Sequence, residues 1–308
     1  MIASTNINSE SYGNCYKFTN RINIDMPYHV KDYNSMPELP EVESVLRALR
    51  DSTPPLPGRL IRDANILSNV VVAGDYSDVF NDVVAGMIFS TISRHGKYLI
   101  FRLIKLCSNP RELFLVVHLR MTGRLFLVPQ EQAVVKHTRL ALTLDDGLAL
   151  RFDDPRKFGR VWLVDDPAKV ISGLGPDALT VNQEIFRSKI SVYNRQIKPL
   201  LLDQSFIAGI GNIYADESLY RAGIHPLTSS SSLSELQIER LHSAICEVLS
   251  EAVDDNGANI DGVFSEGDFV VSVYGRQDKP CPKCGSPIVK IRVGQRGTHF
   301  CPVCQPFT

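Results

Sequence analysis

The stretch MPELPEVE at residues 36–43 is the most informative part of this chain, because its prolines and carboxylates open a helix. Pro37 suits a first helical turn, where the N–H that proline lacks would have no partner in any case. Val42, Val45, Leu46 and Leu49 then recur at helical spacing. The sequence therefore predicts an amphipathic helix over 38–51, stopped by Thr53-Pro54-Pro55.

The pattern changes to short apolar and alternating runs between about residues 58 and 165, as expected for strands. These runs include Lys97–Leu103, Leu113–Leu119, Leu125–Val128, Leu140–Leu144, Leu148–Phe152 and Val161–Val164. The triplet Asp145-Asp146-Gly147 between two of them is a hairpin signal. One leading helix followed by many strands predicts a β-sandwich, and a linker is expected at 173–176.

Helical periodicity returns from about 181 to 256, with one helix predicted over 233–253. The glycine-rich turn at 209–212 enters another helix and directs its N–H groups and Asn212 toward whatever lies beyond the helix start. That arrangement favours an anion, although small residues also serve helix packing. Lys198 is ambiguous in the same way.

Four of the seven cysteines form two close pairs, Cys281-Pro-Lys-Cys284 and Cys301-Pro-Val-Cys304. Each pair places two thiolates on a tight turn, and two such turns close a tetrahedral zinc shell. No side chain is left for an open coordination position, so the sequence predicts one structural Zn²⁺. A zinc ribbon alone does not specify function, since such modules also bind RNA and protein.

The formal net charge of −1 hides an uneven distribution of charge. Residues 94–160 hold thirteen Lys or Arg against six Asp or Glu, residues 271–308 hold six against one, and residues 231–268 hold nine acids and one Arg. Such segments suggest a surface that faces a polyanion, although imbalances of this size also occur on solvated faces. No apolar run approaches the ~18 residues of a membrane-spanning helix, and residues 1–35 lack the apolar core of a signal peptide.

Three further motifs carry candidate binding residues. Arg296 lies in the hairpin between the cysteine pairs, where a metal-held tip suits a phosphate or a groove. Phe158 stands beside Arg156 in DPRKFG, an arrangement suited to a wedge between bases, and HLRMTG offers Met121 next to a turn. Ordinary core packing is an alternative for these apolar residues. Lys97 interrupts a strand that is expected to be buried, so its charged ammonium group requires an explanation.

Together, residues 36–305 resemble the formamidopyrimidine-DNA glycosylase family of bacteria, motif for motif. The motifs follow the family's order: MPELPEVE, GKYL, HLRMTG, the Lys136-His137 pair, DPRKFG, IKPLLLDQ, GIGNIYADE, AGIHP, VYGR and QRGTHFCPVCQ. The resemblance implies an α+β fold in which duplex DNA binds between domains. These are a catalytic β-sandwich at 36–170, a helix-two-turn-helix domain at 181–260 and a zinc ribbon at 271–308.

The resemblance also implies a bifunctional DNA glycosylase and AP lyase that removes oxidised purines, such as formamidopyrimidines and 8-oxoguanine. Pro37 would attack C1′ of a flipped-out nucleoside and form a Schiff base, with Glu38 as general acid at the sugar and Glu41 as a supporting carboxylate. Lys97 would act in β-elimination, and Arg296 in the δ-elimination that follows.

Six residues match the family's DNA contacts. Met121, Arg156 and Phe158 correspond to the trio that fills the space left by the flipped base. DNA-backbone contacts are implied for His137, Lys198 and Asn212, and a DNA contact is also implied for Arg156. The resemblance further implies a monomer without a membrane partner, in the bacterial cytoplasm and associated with the nucleoid through its substrate.

Two departures from the family pattern keep alternatives open. Residues 1–35 are consistent with a disordered tail, a weak organelle presequence or translated DNA upstream of a start at Met36, and the last is favoured. Within a chain the Pro37 nitrogen is a non-nucleophilic amide, so a retained leader predicts an inactive damage-binding protein. The base-capping loop at 257–274 is short, which leaves room for an endonuclease VIII-like preference for oxidised pyrimidines. Leu39 and the Lys97-Tyr98 pair favour the formamidopyrimidine branch.

Overall fold

The structure is a computed structural model that describes residues 36–106, 110–258 and 267–307. The predicted leader at 1–35 and residues 259–266 of the short loop lie outside these residues. No helix within the described ranges is long and apolar enough to cross a membrane.

The first half of the fold is a β-sandwich preceded by helix α1, Leu39–Arg50, which confirms the predicted leading helix. The strands are β1 Ile61–Ile66, β2 Val72–Ala73, β3 Ile88–His95, β4 Tyr98–Lys105, β5 Arg111–His118, β6 Arg124–Pro129, β7 Thr138–Leu144, β8 Leu148–Asp153 and β9 Arg160–Val164, with a short helix α2 at Phe80–Val84. They form a four-stranded sheet, β1-β7-β8-β6, and a five-stranded sheet, β2-β9-β5-β4-β3. Both sheets and α1 contribute side chains to one hydrophobic core.

Three strands, β1, β2 and β3, escaped the sequence prediction, and all three lie at sheet edges. Strand β2 is only two residues long, and in β3 a register shift between Phe89 and Thr91 interrupts the alternation of apolar and polar residues. In β1 a register shift between Ile61 and Asp63 likewise breaks the alternation. By contrast, Asp145-Asp146-Gly147 joins β7 to β8 as predicted.

The second half is helical and ends in a hairpin. Its helices are α3 Ala168–Ile171, α4 Gln183–Ile190, α5 Ile197–Leu201, α6 Asn212–Ala222 and α7 Glu235–Asp254, and the hairpin strands are β10 Val289–Val293 and β11 Arg296–Phe300. Helix α7 begins with a capping box, in which Ser234 and Gln237 each accept a hydrogen bond from the other's backbone N–H. The predicted domain limits stay predictions.

Helix α1 joins the two halves. Val42, Leu46 and Leu49 lie in the sandwich core, whereas Leu39 belongs to the core of the helical half. The backbone N–H of Leu39 donates to the carbonyl of Gly209 at 3.1 Å. The start of α1 is therefore held against the turn that precedes α6.

Candidate active site and metal centre

The side chain of Glu38 closes the start of helix α6. Its carboxylate accepts hydrogen bonds from the backbone N–H groups of Gly211 at 2.9 Å, Ile213 at 3.0 Å and Tyr214 at 3.3 Å. A Cβ at Gly211 would lie 2.2 Å from Glu38 Cδ, so glycine is required for this approach. The anion predicted at this turn is thus the protein's own carboxylate, at a helix end that favours negative charge.

The pKa of Glu38 is raised to about 7. Burial is the main cause, because it disfavours the charged carboxylate, and the nearby Glu41 adds to it. The charge of Lys97 and the N–H groups of Ile213 and Tyr214 act in the opposite direction. Glu38 can therefore hold a proton near neutral pH, as a general acid must.

Glu41 is held from both sides. Its Oε2 accepts from the backbone N–H of Glu38 at 2.9 Å. Its Oε1 accepts from the Tyr214 hydroxyl at 2.6 Å and from the N–H of Ala258 at 2.9 Å. Since Tyr214 lies on α6, this carboxylate also fixes α1 to α6.

Lys97 does not lie in a strand, as the sequence predicted, but in the Gly96-Lys97 turn between β3 and β4. The tight turn between these paired strands requires a positive φ, and Gly96, with φ +56°, adopts it without steric cost. Asp177 holds this turn, since its Oδ2 accepts from the N–H of Gly96 at 2.7 Å and lies 2.5 Å from the guanidinium of Arg94.

Burial lowers the pKa of Lys97. The charges of Glu38 and Glu41 oppose that shift, and the charge of Arg296 adds to it. Glu38 directly precedes α1, Glu41 lies on α1, Lys97 lies in the β3–β4 turn and Arg296 lies on the hairpin. The fold thus brings these side chains close enough for the other three charges to act on the pKa of Lys97. A lowered pKa gives Lys97 more of the neutral amine, which can accept a proton.

Hydrogen bonds from two side chains of the helical half hold the hairpin that carries Arg296. The amide of Asn212 and the ammonium of Lys198 each donate to the carbonyl of Gly297 at 3.1 Å. Lys198 is fully buried and forms an ion pair of 2.6 Å with Asp216. Its implied DNA contact stays a prediction, and it has a structural role besides. Arg296 itself is exposed.

The four cysteines of the ribbon form a structural zinc site. Their sulfur atoms all lie within 4.8 Å of one another, with Cys284 and Cys301 at 3.4 Å and Cys281 and Cys304 at 3.9 Å. Tetrahedral Zn²⁺ with ~2.3 Å bonds needs sulfur atoms about 3.8 Å apart, so this donor set fits the metal. The hydroxyl of Tyr220, on α6, lies 3.3 Å from Cys281 Sγ and couples the site to that helix.

The predicted insertion residues lie on two neighbouring loops of the sandwich. Arg156 and Phe158 are exposed, with the guanidinium 4.8 Å from the centre of the Phe158 ring. Phe158 is 48% exposed, which excludes the core alternative for this residue. Met121 and His137 are partly buried. Their DNA contacts stay predictions.

Sequence reasoning missed several residues that position the site. Tyr214 and Asp216 lie inside the GIGNIYADE motif, where two adjacent carboxylates on a helix of small residues were an available signal. Asp177 follows the predicted linker and gave no signal of its own. Its contacts with Arg94 and Gly96 cross more than eighty residues of sequence.

Family profiles match most of the described chain. The formamidopyrimidine-DNA glycosylase N-terminal domain matches residues 36–161, and the H2TH domain of the same family matches residues 173–262. A zinc finger found in FPG and IleRS matches residues 278–306.

Relatives and solved structures agree with these profiles. The formamidopyrimidine-DNA glycosylase of Rippkaea orientalis is 41% identical over 285 residues, which cover 88% of this chain and all of the relative. Lactococcus lactis Fpg in complex with DNA that contains an abasic site has a TM-score of 0.79 at 34% identity. The same enzyme with DNA that contains an oxidised pyrimidine has a TM-score of 0.78 at 35% identity, and both alignments cover 88% of this chain and 100% of the other. This chain belongs to the formamidopyrimidine-DNA glycosylase family.

Proposed function

We propose that this chain excises oxidised purines from duplex DNA and then cleaves the strand at the abasic site that remains. The observation that carries the proposal is the buried Glu38 with a pKa of about 7, next to a buried Lys97 whose pKa is lowered. Two groups whose environments move their pKa values toward neutrality suit an acid and a base working in one site.

Pro37 is the proposed nucleophile. It directly precedes Glu38, so an amine at this position would lie beside a carboxyl group able to deliver a proton. Attack of the proline nitrogen on C1′ would form a C–N bond as the bond to the base breaks, and the base would leave with the electron pair of that bond. Opening of the C1′–O4′ bond, with the proton of Glu38 passing to O4′, would then leave an iminium ion. This chemistry requires that Pro37 end the polypeptide, because an acylated proline nitrogen has no nucleophilicity.

Strand cleavage would follow from the same cluster. Lys97 is the proposed group in β-elimination, since its neutral amine can take up a proton. Arg296 is the proposed group in δ-elimination, and its exposure at the hairpin tip suits a contact with the phosphate that leaves. The zinc site supplies rigidity to that hairpin and takes no part in the reaction.

We propose that DNA lies along the exposed loops and the hairpin tip. Met121, Arg156 and Phe158 would enter the base stack, and His137 and Asn212 would contact phosphates. For Lys198, any phosphate contact would have to share an ammonium already paired with Asp216. A monomer acting in the cytoplasm is part of the proposal, and light scattering of the free protein tests the monomeric state.

The experiment compares excision from duplexes that contain 8-oxoguanine, formamidopyrimidine or thymine glycol, under single-turnover conditions. The proposal expects the two purine lesions to be released faster and the strand to be cut with both eliminations. An undamaged duplex is the control. Absence of any base release from a chain that begins at Pro37 would overturn the enzymatic function.

Three alternatives would be indicated by other results of this excision experiment or of matching binding experiments. Faster release of thymine glycol would indicate a pyrimidine preference. Tight binding to lesions without release, by a chain that retains residues 1–35, would indicate a damage-binding protein. Preference for RNA over lesion duplex would revive the reading of the ribbon as a separate binding module.

A further inference from the structure

One buried carboxylate, that of Asp154, joins the two loops that carry the proposed insertion residues. Its Oδ1 accepts hydrogen bonds from the Thr122 hydroxyl and from the N–H of Arg156, the latter at 3.1 Å. Its Oδ2 accepts from the N–H of Gly159 at 2.7 Å. Asp154 is 0% exposed, so it cannot itself touch DNA.

Each hydrogen-bond donor is either one of the three proposed insertion residues or the residue that directly follows one of them. Thr122 follows Met121, Gly159 follows Phe158, and the third bond is to Arg156 itself. Between them Lys157 has φ +58°, a conformation that few side chains adopt without support. A Cβ at Gly159 would lie 2.4 Å from the Phe152 ring, so the end of this loop is held tightly against the sandwich.

The backbone of Asp154 extends the connection to a proposed phosphate contact. Its N–H donates to the carbonyl of His137 at 2.8 Å, and its carbonyl accepts from Arg139 Nε at 2.7 Å. A buried carboxylate is costly unless it is fully hydrogen-bonded. Here both oxygens accept hydrogen bonds, and every donor to them comes from one of the two insertion loops.

We infer that Asp154 and Thr122 are positioning residues that hold the Met121 loop and the Arg156–Phe158 loop in register, so that three side chains enter the base stack together. The inference rests on the proposed function. Unstacking a base is costly, and two loops that moved independently would also lose conformational freedom on insertion. Linking them before DNA binds removes part of that loss, as preorganisation does in general.

The test is Thr122→Val, which keeps the side-chain volume and removes the hydroxyl that joins the loops. Insertion is followed by the fluorescence of 2-aminopurine placed next to 8-oxoguanine in a duplex. We expect insertion and kcat/KM for excision to fall about tenfold or more, the effect of losing one hydrogen bond to a charged group. Thr122→Ser keeps the hydroxyl and should restore both rates.

A second pair of variants separates this role from general stability. Asp154→Asn should slow insertion at least as much as Thr122→Val, because it weakens bonds to both loops. Asp153→Asn changes a neighbouring buried carboxylate that bonds to neither insertion loop in the described structure, and it should insert at the wild-type rate. Zinc content and melting temperature are measured for every variant.

The outcomes distinguish the inference from the proposed function. If the wild type releases no lesion, the proposed function fails. If the wild type is active and Thr122→Val inserts at the wild-type rate, or if Thr122→Ser behaves like Thr122→Val, the inference is wrong.

Discussion

Glu38 shows at the scale of one residue how the fold tunes a proton donor. Three backbone N–H groups at the start of α6 point at its carboxylate, and by themselves they favour the charged form. Burial has the larger effect, so the pKa of Glu38 rises to about 7. The same bonds that orient the carboxylate thus leave it able to carry a proton at neutral pH.

The rate of base excision should depend on the protonation of Glu38. Because the protonated form is the active one, kcat/KM for 8-oxoguanine should fall as pH rises through about 7. Glu38→Gln should lower excision by about 10²-fold or more, the usual worth of a general acid, and remove this dependence on pH. Glu112→Gln, which changes an exposed carboxylate paired with Arg102, is the control. If kcat/KM of the wild type does not change between about pH 6 and 8, the assignment of a pKa of about 7 to the catalytic Glu38 is contradicted.

The residues of the site differ in how far the sequence could predict them. The cysteine spacing predicted the zinc ligands without help, because each pair of ligands is local. The resemblance supplied Glu38 and Lys97, but not the N–H groups of α6 that bond Glu38 across more than 170 residues. The burial of Lys198 was likewise hidden, since its partners Asp216 and Gly297 come from other parts of the chain.

At the scale of elements, helix α6 connects the parts of the site. Its start is closed by Glu38, its Tyr214 holds Glu41, and its Asp216 pairs with Lys198. Farther along, Glu217 accepts three backbone N–H bonds from residues 272–274, and Tyr220 approaches a zinc ligand. A change in the structure of the ribbon should therefore alter the positions of the proposed catalytic side chains.

Removing the cation of the buried ion pair should cost much stability. Lys198→Met leaves Asp216 charged and buried, and breaking such a pair costs about 3–5 kcal/mol in the free energy of unfolding. Arg102→Met breaks an exposed pair with Glu112 and should cost no more than about 1 kcal/mol. Urea unfolding of both variants makes the comparison. Equal losses would show that the burial of Lys198 has no energetic consequence.

Loss of one zinc ligand should release the metal and abolish the role of the hairpin in DNA binding. We expect Cys284→Ser to contain less than one equivalent of zinc and to lose binding to lesion duplex, because Arg296 is then no longer presented by a rigid tip. Cys246→Ser, on α7 and outside the cluster, should retain both. Metal analysis and fluorescence anisotropy provide the two readouts. Normal binding by zinc-free Cys284→Ser would rule out this role of the ribbon.

At the scale of the whole molecule, the small net charge conceals basic loops and a basic hairpin. Arg120, Arg156, Lys157 and Arg296 are exposed on segments of the proposed DNA face. The acidic stretch lies instead on and after α7, where Glu235, Glu239, Glu247 and Glu251 occur. Charge is therefore distributed by segment, which supports binding of a polyanion.

Binding of lesion duplex should accordingly depend strongly on salt. If about six phosphates are neutralised, the affinity should fall about 10³-fold between roughly 50 and 200 mM salt. Arg156→Ala should reduce the slope of log affinity against log salt by about one, if its guanidinium contacts a phosphate. A nearly flat dependence for the wild type would contradict the proposed interface.

The overall architecture could be predicted because strongly buried strands and long amphipathic helices carry clear periodicity. The edge strands β1, β2 and β3 were missed, since β2 has only two residues and register shifts interrupt the alternation in β1 and β3. The attachment of the hairpin to α6 could not be predicted either. It depends on hydrogen bonds such as that from the N–H of His299 to Asp216, and no local sequence pattern predicts such a long-range pair.

The identity of the nucleophile is the claim on which the proposed chemistry depends. Borohydride reduction in the presence of an 8-oxoguanine duplex, followed by proteolysis and mass spectrometry, locates the attachment directly. We predict that the DNA remnant is found on a peptide whose first residue is Pro37, attached through the proline nitrogen. A remnant on Lys97 or another lysine, or an adduct formed at full rate by a chain that retains residues 1–36, would contradict the account.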